Sequence, residues 1–231
     1  MKRLIWITMA LSMMLSSCGE FFNFEESPDE WEGVTMHALN DSACIMVGDS
    51  LALQCEFLPI NPNSSPVFWM MNESTSAKVN NDTLVALAPG KVNLTALGAA
   101  GRLCDTIQVK VIDRWIEEDF SSLHPSDMVL YANIQVDNDP WYDETMIVGA
   151  FVREELAGVA VKRQDHGVTY AELRIWAIDD QHVGNVQLRC YDRRNRRLYV
   201  SLNDIEFDAY TTLGTLSDLY PININTIYFL L

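Results

Sequence analysis

Pro89-Gly90-Lys91-Val92-Asn93-Leu94-Thr95-Ala96 and its sequel Asp105-Thr106-Ile107-Gln108-Val109-Lys110-Val111 decide how this chain is read. Val92, Leu94 and Ala96 alternate with polar neighbours, and so do Ile107, Val109 and Val111. A period of two means a strand with one face in a core and the other in water. The same short alternating runs continue upstream. Ala43 to Val47 is followed by Gly48-Asp49, and then Leu51, Leu53, Cys55 and Phe57 share one face. Pro59, Asn61, Pro62, Asn63 and Pro66 form a turn-rich connection to Val67-Phe68-Trp69-Met70, and a turn at Asn80-Asn81-Asp82 precedes Leu84-Val85-Ala86. Short strands punctuated by turn residues predict a β-sandwich over residues 41–113. Trp69 reads as part of its core.

Downstream, Trp115, Glu117-Glu118-Asp119 and Pro125 suggest an irregular connection, after which alternation returns. Met128, Leu130, Ala132, Ile134 and Val136 point one way. Met146 to Val152, Gly158 to Val161, Val168 to Ile178, Val186 to Tyr191, Leu198 to Leu202 and Ile205 to Phe207 are further strands, too short for helices. A second β-sandwich is expected over residues 114–231.

Upstream of both lies a different kind of sequence. Lys2 and Arg3 precede an apolar run from Leu4 to Leu15, too short for a permanent membrane span, which ends in Leu15-Ser16-Ser17-Cys18. This segment resembles bacterial lipoprotein signal peptides, in which the cysteine after a leucine and small residues is acylated and becomes the mature N-terminus. Carried over, the resemblance makes residues 1–17 a signal peptide and Cys18 the lipid anchor in the outer membrane. Residues 18–40 hold Glu20, Glu25, Glu26, Asp29, Glu30 and Glu32 without a base, an acidic tether. The fold class expected is therefore all-β, two consecutive β-sandwich domains after a lipoprotein signal and tether.

Charge narrows the partners. The chain has 16 Lys and Arg against 32 Asp and Glu, a formal charge of −16 that becomes −18 once Lys2 and Arg3 are removed. Such an excess of acid argues against nucleic acid and against anionic lipid headgroups. Besides Cys18 there are Cys44, Cys55, Cys104 and Cys190. Cys55 with Cys104, or Cys44 with either, are candidate disulfides, and spacing does not choose between them.

Two further resemblances attach to quoted residues. Gly48-Asp49, Pro59, Trp69, Ala88-Pro89-Gly90, Thr95-Ala96 and Val109-Lys110-Val111 resemble group 2 bacterial immunoglobulin-like domains, which implies a stalk or spacer module. Val148-Gly149-Ala150-Phe151-Val152, Glu155 to Ala160, Leu173-Arg174-Ile175-Trp176 and Leu188 to Asp192 resemble a β-rich module of secreted Bacteroidetes proteins; Leu156 and Ala157 stand where that module has Cys-Arg. Asp41-Ser42, Asp49-Ser50, Asp82-Thr83 and Asp105-Thr106, each followed by an apolar residue, resemble Bacteroidetes O-glycosylation sequons and equally suit turns leading into strands.

Candidate chemistry is sparse. Asp137, Asp139, Asp143 and Glu144, with Asn138, offer the oxygen ligands calcium takes, without EF-hand spacing; the same residue types form turns. Arg193, Arg194, Arg196 and Arg197 suit phosphate, a carboxylate-bearing sugar or an acidic loop, and suit equally a charged hairpin tip that protects a sheet edge. Trp141 and Tyr142, beside the acidic loop, are candidate ligand contacts. His37, His124, His166 and His182 show no metal-ligand spacing, and no nucleophile-elbow, Walker or dinucleotide motif occurs. The expected function is non-enzymatic: a cell-envelope lipoprotein that binds a glycan or protein, or scaffolds one, with no cofactor unless the acidic loop takes calcium. The alternatives are an envelope enzyme acting on a polysaccharide and an accessory subunit inert alone.

Overall fold

The computed structural model describes residues 34–58, 66–98, 103–116, 126–141, 144–177 and 184–227. Every regular element among them is a strand, so the protein is all-β. The chain divides into two units, Met1–Ala43 with Val47–Val111, and Cys44–Met46 with Ile112–Leu231.

Strands β1 (Thr35–Ala38), β2 (Cys44–Met46), β3 (Ser50–Ala52), β4 (Cys55–Leu58), β5 (Phe68–Met71), β6 (Ala77–Asn80), β7 (Thr83–Ala86), β8 (Gly90–Gly98) and β9 (Leu103–Ile112) come first. The stretch quoted at the outset forms the long β8–β9 hairpin, in register from Gly90↔Val111 to Gly98↔Leu103. Its inward residues Val92, Leu94, Ala96, Ile107, Val109 and Val111 are all buried, as the period of two requires. β5 extends this sheet beyond β8, pairing Trp69 with Ala96 and leaving the ring half-buried. The facing sheet, β3-β7-β6, buries Leu51, Ala77, Leu84 and Ala86. β1 pairs with β4 from Thr35↔Leu58 to Ala38↔Cys55, so the domain takes in residues assigned from sequence to the tether. Met36 and Ala38 are the reason: they alternate with exposed Thr35 and His37 and supply buried surface.

The second unit contains β10 (Ser126–Val136), β11 (Asp139–Pro140), β12 (Met146–Val152), β13 (Glu155–Val159), β14 (Val161–Asp165), β15 (Val168–Ala177), β16 (Asn185–Asp192), β17 (Arg197–Val200), β18 (Ile205–Glu206), β19 (Thr212–Leu213), β20 (Tyr220–Ile224) and β21 (Thr226–Ile227). One sheet has the order β11-β10-β15-β14, with β19 and β20 running parallel to β10 on its far side. The other has the order β13-β12-β16-β17-β21, with β18 beside β16. Between them lies a core of Met128, Leu130, Ala132, Ile134, Leu173, Ile175, Val148, Leu188 and their neighbours.

Two-residue turns set the registers. Asp137-Asn138, Arg153-Glu154 and His166-Gly167 all have positive φ and connect directly paired strands, the type I′ geometry that matches strand twist. Arg189 fastens the second of them. Its Nη2 donates to Glu154 Oε2 at 2.6 Å and its Nε to Gln187 Oε1 at 2.8 Å, while the guanidinium lies 4.3 Å from the Phe151 ring centroid.

The two sheets differ on their outer faces. That of β12, β16 and β17 is covered: Cys44, Met46, Ile112 and Trp115 pack with Phe151, Tyr191 and Leu198 into a second small core. β2 stands beside β9 in the sheet order β2-β9-β8-β5, as its sequence assignment requires, yet groups by contact with the second unit, where Cys44 N–H donates to the Arg196 carbonyl at 2.9 Å. The outer face of β10, β15 and β14 remains half-exposed to exposed.

Candidate functional site

β10 and β15 pair antiparallel from Ser126↔Ala177 to Ala132↔Ala171. With Met128, Leu130, Leu173 and Ile175 turned into the core, alternation sends Asp127, Val129, Tyr131, Tyr170, Glu172, Arg174 and Trp176 outward. The register sets Asp127 opposite Trp176, Val129 opposite Arg174 and Tyr131 opposite Glu172; β14 adds Arg163 opposite Tyr170. Tyr131 and Tyr170 meet edge to face with ring centroids 5.8 Å apart.

The charges of this face pair within it. Arg163 Nε donates to Glu172 Oε2 at 3.0 Å, and Arg174 Nη1 lies 3.4 Å from Asp127 Oδ2. Such exposed pairs contribute about 0–1 kcal/mol each, so their effect is to orient side chains more than to stabilise. The Arg174 guanidinium also sits 5.5 Å from the Trp176 ring centroid. Tyr210, 70% exposed, is tied by its N–H to the Asp127 carbonyl at 2.7 Å, but its hydroxyl lies 3.4 Å from Ser126 Oγ, on the core-facing parity of β10, so its ring is not part of this face. The resulting surface is flat and polar, with rings at both ends.

The residues singled out from sequence are placed differently. Trp141 is a core residue, 8% exposed, with its indole N–H donating to the Met146 carbonyl at 3.0 Å. A ring whose one polar atom is satisfied internally is held inside by its apolar area, which corrects its assignment as a ligand contact. Tyr142 and Asp143 lie outside the described residues, as do Cys18, His124 and His182. Asp137, Asp139 and Glu144 are exposed; Asp137 belongs to a type I′ turn, and among the described residues no three His, Cys, Asp or Glu converge as metal ligands.

The arginine run is a built turn. Buried Asp192 accepts the N–H groups of Arg194 and Asn195 at 2.9 and 3.0 Å and the Asn195 amide at 2.7 Å. Arg196 reaches the Tyr191 hydroxyl at 3.2 Å and is half-buried, whereas Arg193, Arg194 and Arg197 are exposed.

Cys44, Cys55, Cys104 and Cys190 are all free thiols, so none of the candidate pairings is formed. Strand parity explains it for Cys55 and Cys104. Asp105 faces β1, where its Oδ2 accepts the Ala38 N–H at 2.8 Å, and its charge bears on Cys55 opposite Ala38. Cys104, one residue away on β9, therefore points to the other face. Cys44 packs into the small core of the second unit. Burial, then Asp105 and Asp82, push the Cys55 thiol up to about 11; burial, then Asp192, push Cys190 up to about 12. A raised thiol pKa keeps the unreactive protonated form through neutral and mildly alkaline pH. At pH 8, N-ethylmaleimide is expected to modify exposed Cys104 first, Cys55 slowly, and Cys190 only after unfolding. Peptide mass mapping reads the order, and equal rates at Cys104 and Cys190 would refute it.

Comparison with known proteins adds no family. No family model matches the chain, and no curated protein matches it. Among solved structures it is similar to domains 4–9 of the surface layer protein SbsC, at 13% identity and TM-score 0.29 over 82% of this chain and 31% of that one. The titin Ig tandem A164-A165 matches at 10% identity and TM-score 0.23, over 83% of this chain and 97% of that one. The endo-fucoidan hydrolase MfFcnA4 matches at 11% identity and TM-score 0.26, over 87% of this chain and 30% of that one. The chain thus spans about a third of the surface layer fragment. Its all-β assignment stands on its own strands.

The aromatic face itself was not singled out from sequence. Its signal was present: once Met128 to Val136 are assigned inward, the intervening Tyr131 must face outward, and the same parity in Val168 to Ile178 turns Tyr170 and Trp176 outward, where they are half-buried.

Proposed function

We propose that this protein is a cell-envelope lipoprotein, acylated on Cys18 and held at the outer membrane, which acts as a non-enzymatic binding module. In this reading the first unit is an immunoglobulin-like spacer of the group 2 bacterial type, and the second presents the contact surface. Leu15-Ser16-Ser17-Cys18 after an apolar run supports the anchor. The observation that carries the binding reading is the outer face of β10, β14 and β15, which no described residue packs over in a core cluster and where half-buried Tyr131, Tyr170 and Trp176 stand among oriented polar side chains, while the opposite sheet is covered by Trp115 and its neighbours. Large rings kept on a solvated face are a recognition feature, because they supply contact area at little entropic cost.

Fractionation of cells expressing wild type or Cys18→Ala, followed by protease treatment of intact cells, tests this. Wild type is expected in the membrane fraction with the mass of its acyl chains and cleaved on whole cells, and Cys18→Ala in the soluble fraction. If both are soluble, the anchor is wrong. If wild type is cleaved only after the outer membrane is breached, surface display is wrong.

A further inference from the structure

We propose that the outer face of β10, β14 and β15 takes a neutral glycan chain, laid along β15 between Trp176 and the Tyr131–Tyr170 pair. The inference rests on reading that face as the contact surface and names its ligand class. Tyr170 and Trp176 are six residues apart on one strand, a span of about 20 Å at strand rise. That suits several linked sugars and exceeds one. The apolar C–H face of a pyranose packs against an aromatic ring, and its hydroxyls need donors and acceptors beside it. Glu172, Arg174, Asp127 and Arg163 supply these between the rings, held in orientation by their mutual pairing. An extended peptide would instead seek an unpaired strand edge, and the middle of this face, on β15, has β10 on one side and β14 on the other.

Charge decides for a neutral chain. Both guanidiniums are matched by carboxylates on the neighbouring strand, leaving neither as a cation dedicated to a polyanion. The whole chain, at −16, repels acidic polymers at a distance.

Affinity electrophoresis of the full chain in gels containing laminarin, xylan, dextran or pullulan, with alginate and heparin as acidic counterparts, tests the proposal. At least one neutral polymer is expected to retard the wild type, with affinity reduced tenfold or more in Trp176→Ala and Tyr170→Ala while the thermal transition stays in place. The second variant keeps the test open if the first does not fold. Retardation by acidic polymers alone, lost in both variants, would keep the face and overturn its neutral ligand. A neutral polymer bound equally by wild type and variants would overturn the face itself, and no retardation by any of the six would overturn the glycan assignment.

Discussion

Gly158→Ala is expected to leave the second unit unfolded. Gly158 lies on β13, in the run Glu155 to Ala160 quoted above, and pairs with Ala150 just before a register shift in the β12–β13 ladder. A Cβ on Gly158 would run into the carbonyl oxygen of Arg174, with the Arg174 carbonyl carbon at 3.0 Å and the Ile175 Cα at 3.4 Å. These are backbone atoms of the opposing sheet. β15 is held between β10 and β14, and Leu173 and Ile175 beside the collision are fully buried, so the obstacle has nowhere to go. Overpacking ordinarily costs about 1–3 kcal/mol because side chains yield, and here none is available to do so. Limited proteolysis with mass mapping should show residues 126–227 degraded in the variant and protected in the wild type. Gly167→Ala is the control. Gly167 has φ +82 in the β14–β15 turn and nothing within 4 Å of its would-be Cβ, so only backbone strain of about 1–2 kcal/mol is expected. Equal stability of the two variants would refute the close approach of β13 to β15.

Trp115→Ala is the second large effect, expected to cost about 3–5 kcal/mol, the usual range for a buried aromatic cut to alanine. Trp115 is 6% exposed and meets Phe151 at 5.1 Å and Tyr191 at 6.5 Å between ring centroids, both edge to face. It also lies over Gly149, whose added Cβ would sit 3.3 Å from Trp115 Cε3. Removing the indole uncovers two rings and the backbone of β12 together. Equilibrium urea unfolding measures the loss, and Trp115→Phe should recover part of it. A loss below about 1 kcal/mol would mean that the ring is dispensable to the small core.

The strands most legible in the sequence were those whose apolar period was long. β8, β9, β10 and β15 have 9 to 11 residues each, with inward positions that can be named from alternation alone. What depended on non-local contact was less legible. Trp115 reads as part of a linker because its partners Phe151 and Tyr191 are far along the chain. Trp141 reads as exposed because it follows Asp-Asn-Asp-Pro, yet a two-residue turn returns the chain so promptly that Trp141 N–H donates to the Ile134 carbonyl at 2.9 Å and its ring enters the core. Tyr220-Pro221-Ile222-Asn223-Ile224 drew no strand assignment, and its Pro221 argues against one in a sheet interior. β20 pairs with β10 alone among the described strands, an edge position where a missing N–H is tolerated. The aromatic face was legible in principle from the parity of β10 and β15.

The pairing of β20 with β10 also bears on when the second unit can exist. Ala132 finds Tyr220 and Val136 finds Ile224, so a sheet begun by the unit's first long strand is finished by nearly its last. Ile222 and Ile224 bring two buried side chains to the core only at that step. Contacts this remote in sequence form slowly and late. A chain synthesised from its N-terminus would therefore carry this unit open until residues 220–224 had emerged, and would close it in one late step.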